Sequence, residues 1–170
     1  MILLTGFTGM LGGEIARQLD KRKLDWTYLP QGQDAANPLN FERLRGLEDV
    51  EYIINCAAWT DTSVKDDASE ESNECWHSNV RVAETLSWIC KEYNIKLIHV
   101  STNYVMDPVN HYAITKQYAE SAIAGGCKNY TIFRTSWLYH ENNEDCLVRK
   151  LYDKLVEDEE ITVDDRDWET

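Results

Sequence analysis

Two short segments of this sequence carry residue types at spacings that could support chemistry. The first is T-G-F-T-G-M-L-G at residues 5–12, between an apolar run and an amphipathic stretch. Gly6 permits a tight turn, Gly9 lets a backbone approach a pyrophosphate at a helix N-terminus, and Gly12 allows a helix to pack closely on a strand. The segment predicts a phosphate-binding turn, and a glycine-rich turn without a ligand is the alternative.

The second segment is Y-A-I-T-K, which places Tyr112 four residues before Lys116. On a helix this spacing puts both side chains on one face. A lysine ammonium beside a phenol lowers the pKa of the phenol, which makes the tyrosine a usable general acid or base. The hydroxyl pair Ser101-Thr102 ends the preceding apolar run. The pattern predicts a proton-transfer site, and a surface Tyr–Lys pair is the alternative.

These segments lie in a regular alternation of predicted strands and helices. Strands are expected at residues 2–4, 26–29, 52–54, 97–100, 130–133 and 161–163, and helices at about 14–22, 41–47, 71–93, 110–124 and 144–156. Alternation at this spacing predicts an α/β fold with a doubly wound parallel sheet and right-handed connections. Residues 1–170 contain no repeat or linker that would divide them, so we expect one domain.

The composition excludes several classes of partner. The net charge of −13 argues against nucleic acid and against an anionic membrane surface. The five cysteines are scattered without a C-x-x-C pair, and the four histidines lack metal-ligand spacing. This pattern favours a reducing compartment and predicts no metal site. With no basic leader at the N-terminus and no run long enough to span a membrane, we expect a cytoplasmic protein.

Several further segments match the pattern of one known enzyme family. Residues 101–107, S-T-N-Y-V-M-D, resemble its S-T-D-Y-V-F-D, and residues 108–120 resemble its P-x-N-x-Y-G-x-x-K-x-x-x-E. Residues 134–139, R-T-S-W-L-Y, are similar to R-T-S-W-V-Y, and residues 55–60, N-C-A-A-W-T, to N-A-A-A-Y-T. Asn79 falls where the family has a helix asparagine. The matches keep their order over nearly the whole chain, which thereby resembles the dTDP-4-dehydrorhamnose reductase family.

The resemblance implies a Rossmann-like NAD(P)-binding domain and hydride transfer to the C4 ketone of a nucleotide-linked sugar. By this resemblance Tyr112 protonates the nascent alkoxide, Lys116 holds the nicotinamide ribose and tunes Tyr112, and Thr102 hydrogen-bonds the carbonyl oxygen. The substrate contacts it implies are Asn103 and Trp137. The implied cofactor contacts are Gly6, Thr8, Gly9, Met10, Leu11, Gly12, Ala57, Ala58 and Lys116. A strand-end cap at Thr102 and a core position for Trp137 are the alternatives.

The cofactor choice stays open on sequence grounds. In NAD users an acidic residue at the end of the second strand binds the adenosine ribose, and an arginine accommodates the extra phosphate of NADP. Here the strand is followed by L-P-Q-G-Q at residues 29–33, and Asp34 comes late. The expected cofactor is therefore NADP or NAD.

Three departures from the family pattern bear on activity. Asn103 replaces an aspartate, only nine residues separate Thr102 from Tyr112, and the sequence stops at residues 163–170, where relatives continue into a substrate lobe. We therefore expect a minimal or truncated reductase whose lobe is absent or vestigial. A homo-oligomer or a protein partner would then supply the missing wall. The alternatives are a non-catalytic cofactor-binding or regulatory protein and a nucleotide-sugar epimerase or dehydratase.

Overall fold

The computed structural model describes residues 1–30, 32–139 and 147–157, and these residues contain a parallel five-stranded sheet. The strands are β1 (Ile2–Thr5), β2 (Trp26–Thr27), β3 (Tyr52–Asn55), β4 (Lys96–Thr102) and β5 (Tyr130–Thr135). Their order across the sheet is β2-β1-β3-β4-β5. The two neighbours of β1 therefore lie on opposite sides of it. In open sheets of this kind, ligands bind beyond the carboxyl ends of the strands at such a switch point.

Helices connect successive strands. They are α1 (Met10–Lys21), α2 (Pro38–Glu42), α3 (Glu70–Trp76), α4 (Val82–Glu92), α5 (His111–Gly126) and α6 (Leu147–Val156). Two 3₁₀ turns cover Leu47–Asp49 and Asn103–Met106, and a π-helical turn, His77–Arg81, joins α3 to α4. At that turn the Val82 amide donates to the carbonyl of His77, five residues earlier. None of the helices in the described ranges combines the length and apolarity of a membrane span.

One face of the sheet carries the larger buried cluster. Leu3, Ile53 and Leu97 from three adjacent strands are fully buried there and pack with residues of α2, α4 and α5. Strand side chains alternate between the two faces, and Leu4, which is also fully buried, points to the other face. Continuous apolar strands of this kind are typical of parallel sheets covered by helices.

The chain divides into two compact units. The first, Met1–Ser136, contains the whole sheet and the helices up to α5. The second, Trp137–Thr170, contains α6, on which the Arg149 side chain forms an ion pair with Asp153 at 2.9 Å.

The predicted α/β fold with a doubly wound parallel sheet is confirmed, with local differences. Strand β2 has two residues instead of four, since it pairs with β1 only at Ile2–Trp26 and Leu3–Thr27. The helix expected at residues 41–47 is α2, which begins at Pro38 after the Asn37 side chain caps its first turn. The helix expected at 71–93 contains the π-helical turn. The strand expected at 161–163 lies outside the described residues.

Candidate active site

The glycine turn between β1 and α1 is built as its spacing predicts. Gly6 has a φ of +68°, in the left-handed region that favours glycine, and a Cβ there would lie 2.5 Å from the Ala57 amide nitrogen. A Cβ on Gly12 would strike the carbonyl oxygen of Gly6 and approach the Cα atom of Phe7 to 2.9 Å. Gly12 therefore lets the helix pack against the turn itself. The tight turn and the close packing expected of these glycines are both confirmed.

The N-terminus of α1 has the features of an anion site. Its N-cap residue is Gly9, which is extended, exposed and without a side chain to cap the helix, and the first turn has no acidic residue. Thr8 is also exposed, and Met10 and Leu11 open the helix. Backbone amides at a helix N-terminus and the helix dipole favour a phosphate group. The sequence between β1 and α1 thus leaves this helix end accessible to an anion.

A buried polar ladder crosses the sheet directly below the glycine turn. Thr5, Asn55 and His99 occupy matching positions on β1, β3 and β4. The Thr5 hydroxyl donates to Asn55 Oδ1 at 2.5 Å, and Asn55 Nδ2 lies 2.9 Å from His99 Nδ1. Burial and, secondly, the charge of Lys116 hold the pKa of His99 well below its ordinary value, so the imidazole is neutral. Asn55 Oδ1 also accepts from the Ala57 amide at 3.2 Å, which fixes the end of β3 against Gly6.

Thr102 ends β4 and is 7% exposed. Its hydroxyl oxygen accepts from the Tyr104 amide at 3.3 Å, so the strand-end cap considered from the sequence is present. The side chain of Thr102 also hydrogen-bonds to Tyr112, where it favours the phenolate and lowers the pKa of the phenol. The neighbouring Asn103 is exposed, and its Oδ1 lies 3.4 Å from the Thr102 hydroxyl. Thr102 thus has both a structural contact and a contact to the candidate acid.

Tyr112, on the first turn of α5, is 8% exposed. Burial raises the pKa of its phenol above the ordinary value of 10.0, and the hydrogen bond from Thr102 only partly offsets this. The lowered pKa expected from the Tyr–Lys spacing is therefore wrong, because desolvation of the phenol outweighs the hydrogen bond from Thr102 and the Lys116 ammonium donates instead to the Val100 carbonyl. The side chains around the ring come from several segments: Val64, Cys75, Trp59 and Tyr104.

Lys116 lies one turn further along α5 and is 2% exposed. Its Nζ donates to the carbonyl oxygen of Val100 on β4 at 2.9 Å. Burial lowers the pKa of this ammonium from 10.5 to about 8, while the negative charge of Glu120 acts in the opposite direction. The Lys116 side chain is therefore directed at the carboxyl end of β4, and its ammonium releases its proton near pH 8.

Asn79, on the π-helical turn, joins two parts of the site that are distant in sequence. Its Oδ1 accepts from the Trp59 amide at 2.9 Å, and its Nδ2 donates to the Thr115 hydroxyl at 2.9 Å. The asparagine thereby ties the segment after β3 to α5, between Tyr112 and Lys116. The family resemblance marks Asn79, but it does not indicate these partners, and nor does it indicate the ladder at His99. Two features of the sequence could have indicated the ladder. An asparagine, Asn55, ends the apolar run of β3, and a histidine, His99, lies inside the apolar run of β4.

The remaining predicted contact residues, Ala57, Ala58 and Trp137, are less buried than Thr102, Tyr112 and Lys116. Ala57 and Ala58 are half-buried directly after β3, beside the glycine turn. Trp137 opens the second unit and is 63% exposed, so the alternative of a core position for this residue is wrong.

The sheet order and the glycine turn at its switch point together define a Rossmann-like dinucleotide-binding domain. The candidate acid and lysine stand at the same edge of the sheet, at the carboxyl end of β4. A family model described as the RmlD substrate binding domain matches residues 1–168, and the chain belongs to this family.

Relatives agree with this assignment. The dTDP-4-dehydrorhamnose reductase of Mycobacterium tuberculosis is 30% identical over 159 residues, covering 81% of this chain and 50% of the relative. The dTDP-4-keto-6-deoxy-D-glucose reductase of Streptomyces niveus is 28% identical over 182 residues, covering 98% of this chain and 62% of the relative. A crystal structure of dTDP-4-dehydrorhamnose reductase from Bacillus anthracis in complex with NADP superposes with a TM-score of 0.81 at 26% identity, covering 95% of this chain and 62% of that one. The chain spans about half to three fifths of the length of these relatives.

Proposed function

We propose that this chain is the cofactor-binding part of an NAD(P)H-dependent reductase that acts on a nucleotide-linked 4-keto sugar. The observation that carries the proposal is that the candidate phosphate site and the candidate catalytic residues lie at the same edge of the sheet. The uncapped N-terminus of α1 lies beyond β1, and Thr102, Tyr112 and Lys116 lie at the carboxyl end of β4. A dinucleotide extended along this edge would connect the two, and the reductases among the relatives support this substrate class.

The residues present fit such a cofactor. The amides of the α1 N-terminus, with Thr8 and Gly9, would hold the pyrophosphate, since a side chain at Gly9 would stand in its path. Ala57 and Ala58 would lie against the adenosine side, and Lys116 would bond the nicotinamide ribose. When bound, the reduced nicotinamide supplies the hydride. The NADP or NAD expected from the sequence is thus the cofactor that we propose.

The proton for the reduced carbonyl would come from Tyr112. A raised phenol pKa keeps the proton on Oη at neutral pH, which is the form that a general acid needs. Thr102 hydrogen-bonds to this tyrosine and would orient the carbonyl oxygen beside it. Lys116 keeps its charge at pH 7, because its pKa is about 8, and would stabilise the phenolate that remains after proton transfer. Asn103, which is exposed beside Thr102, would contact the sugar. The substrate contact expected at Trp137, the first residue of the second unit, stays a prediction of the family resemblance.

The test is turnover with a matched pair of variants. The full chain is mixed with NADH or NADPH and a dTDP-linked 4-keto-6-deoxy sugar, and loss of absorbance at 340 nm is followed. Removing the acid in Tyr112→Phe should lower the rate by a factor of about 10² to 10⁴. The control is Tyr118→Phe, which removes a hydroxyl from an exposed tyrosine on the same helix and should leave the rate unchanged. Equal rates for the two variants would refute the role of Tyr112.

A second candidate is cofactor binding without turnover, as a regulatory protein on the same fold. The observation that favours it is the segment from Asn103 to Asn110, where Met106 is 72% and Val109 is 81% exposed. These apolar side chains stand beside the site and are available to a protein partner. Tight nucleotide binding without oxidation of NADH or NADPH by any 4-keto sugar nucleotide would favour this candidate.

The cytoplasmic location expected from the sequence is part of the proposal. Cys56, Cys75, Cys90 and Cys127 are free thiols, which suits a reducing compartment.

A further inference from the structure

Three aromatic rings form a cluster beside the glycine turn. The aromatic cluster consists of Phe7, Trp26 and Tyr28. The ring centroids of Phe7 and Tyr28 are 4.3 Å apart, and those of Trp26 and Tyr28 are 6.0 Å apart. The indole Nε1 of Trp26 donates to Asp20 Oδ1 at 2.8 Å, which fixes the indole against α1. The cluster is therefore an ordered surface, with Tyr28 43% exposed at its edge.

The position of the aromatic cluster indicates which part of a bound cofactor it would contact. Phe7 follows Gly6 within the turn, and Tyr28 directly follows β2, the neighbour of β1 in the sheet. In dinucleotide-binding domains the residue at the end of this second strand contacts the adenosine ribose. An acid there bonds the free 2′-hydroxyl, and an arginine accommodates a 2′-phosphate. Here that place is taken by Tyr28, whose ring contacts that of Phe7 at an interplanar angle of 37°.

The charges around this place are unfavourable for a phosphate. Between Lys23 and Arg43 the sequence has no lysine or arginine. The acidic residue that follows β2 is Asp34, whose Oδ1 accepts from the Ala36 amide at 2.8 Å and whose Oδ2 lies 2.9 Å from His77 Nε2. The carboxylate is thus held in the loop by two contacts. A 2′-phosphate at the end of β2 would therefore meet aromatic rings, and the stretch between Lys23 and Arg43 would supply no cation to it.

On the basis of the function proposed above, we propose that the chain selects NADH over NADPH, with Tyr28 and Phe7 as the specificity-determining residues. The rings are tilted to one another by 37° to 57° and offer an apolar surface on which an adenine or an uncharged ribose would pack favourably. The 2′-phosphate of NADPH would lose hydration there without gaining the cation that normally replaces it. A charge-assisted hydrogen bond to a phosphate changes affinity by about tenfold to a hundredfold. Because this bond is missing for the 2′-phosphate, we expect a preference of that size for NADH over NADPH.

The direct test is a pair of titrations on the full chain. NADH and NADPH are titrated by nucleotide fluorescence at 50 mM and 200 mM salt, and we expect NADH to bind at least about tenfold more tightly. Equal or tighter binding of NADPH would overturn the selectivity and leave the proposed function standing. Binding of neither nucleotide would overturn both, because the proposed function requires a nicotinamide cofactor.

A charge-matched pair of variants locates the selectivity at the cluster. Tyr28→Arg places a guanidinium where the 2′-phosphate would lie and should tighten NADPH binding about tenfold, with a much smaller change for NADH. The control is Tyr93→Arg, which makes the same change of charge at a tyrosine of similar exposure, 42%, at the end of α4. An equal gain in both variants would show a general charge effect and overturn the assignment to Tyr28. Circular dichroism of both variants checks that the fold is retained.

Discussion

Replacing Lys116 by methionine should change how the stability of the protein depends on pH. Lys116→Met removes the ammonium and keeps a long, flexible side chain in the same space. The ammonium is 2% exposed, and burial lowers its pKa from 10.5 to about 8. We expect the wild-type protein to gain free energy of unfolding, relative to the variant, as the pH rises above 8.

The sign and size of this gain follow from proton binding. In the unfolded chain the lysine holds its proton up to pH 10.5, whereas in the folded protein it releases the proton near pH 8. Between these values the unfolded state binds more protons, so stability rises with pH. Each pH step contributes about 1.4 kcal/mol, so the cost of burying the charge, fully present below pH 8, is about 3 kcal/mol. About 2 kcal/mol of it should disappear between pH 8 and pH 9.5.

Urea unfolding followed by tryptophan fluorescence, at several values between pH 7 and pH 9.5, measures both proteins under the same conditions. The pKa values of Cys56 and Tyr112 are raised by burial, and these groups destabilise the fold as the pH rises. The contribution of Tyr112 is common to wild type and variant and largely cancels in the difference. Cys56 interacts with the charge of Lys116, so the comparison between pH 8 and pH 9, below the ordinary thiol pKa of 9.0, carries the test. The control Lys128→Met changes an exposed lysine and should give a difference that does not vary with pH. A flat difference for Lys116→Met as well would refute the reasoning.

Three further predictions concern the glycine turn, the polar ladder and a thiol. Gly6→Ala combines a positive φ with a Cβ only 2.5 Å from backbone, so it should cost more than about 2 kcal/mol in urea unfolding and abolish NADH binding. Its control, Gly125→Ala in α5, meets open space and should stabilise by up to about 1 kcal/mol. Asn55→Ala leaves His99 Nδ1 without its donor and should cost about 2 to 3 kcal/mol, and a loss below about 0.5 kcal/mol would contradict the ladder. Burial raises the pKa of Cys56 from 9.0 to about 11, so at pH 8 iodoacetamide should modify it about 100-fold more slowly in the folded than in the urea-unfolded protein, measured by mass spectrometry; similar rates would contradict this.

The fold was predictable because the sequence features that indicate it lie within short segments. Each buried strand is an apolar run, and the glycine turn marks the first connection by the space that Gly6 and Gly12 need. The extent of β2 was not predictable, since the sequence of residues 26–29 does not reveal that only two of them pair with β1.

The site was predictable in its residues and less so in its electrostatics. The spacing of Tyr112 and Lys116 places them on one helix, but the environment of each comes from distant segments. The phenol is desolvated by residues around Val64 and Cys75, and the ammonium is directed to a carbonyl oxygen sixteen residues earlier in the chain. The bonds of His99 depend on strand register, which composition and periodicity leave open.

The π-helical turn between α3 and α4 is equivalent to one residue inserted into a regular helix. Each residue advances an α-helix by about 100°, so an extra residue rotates everything after it relative to everything before it. The turn allows Asn79 to reach the Trp59 amide and the Thr115 hydroxyl while Val82, three residues later, is buried in the core. Deleting Ser78 would let the helix run on without interruption, and the asparagine bridge and the buried face of α4 would no longer be satisfied together. A single added residue thus lets one helix present two faces independently, one toward the sheet and one toward the site, so that a deletion within the turn would disturb both at once.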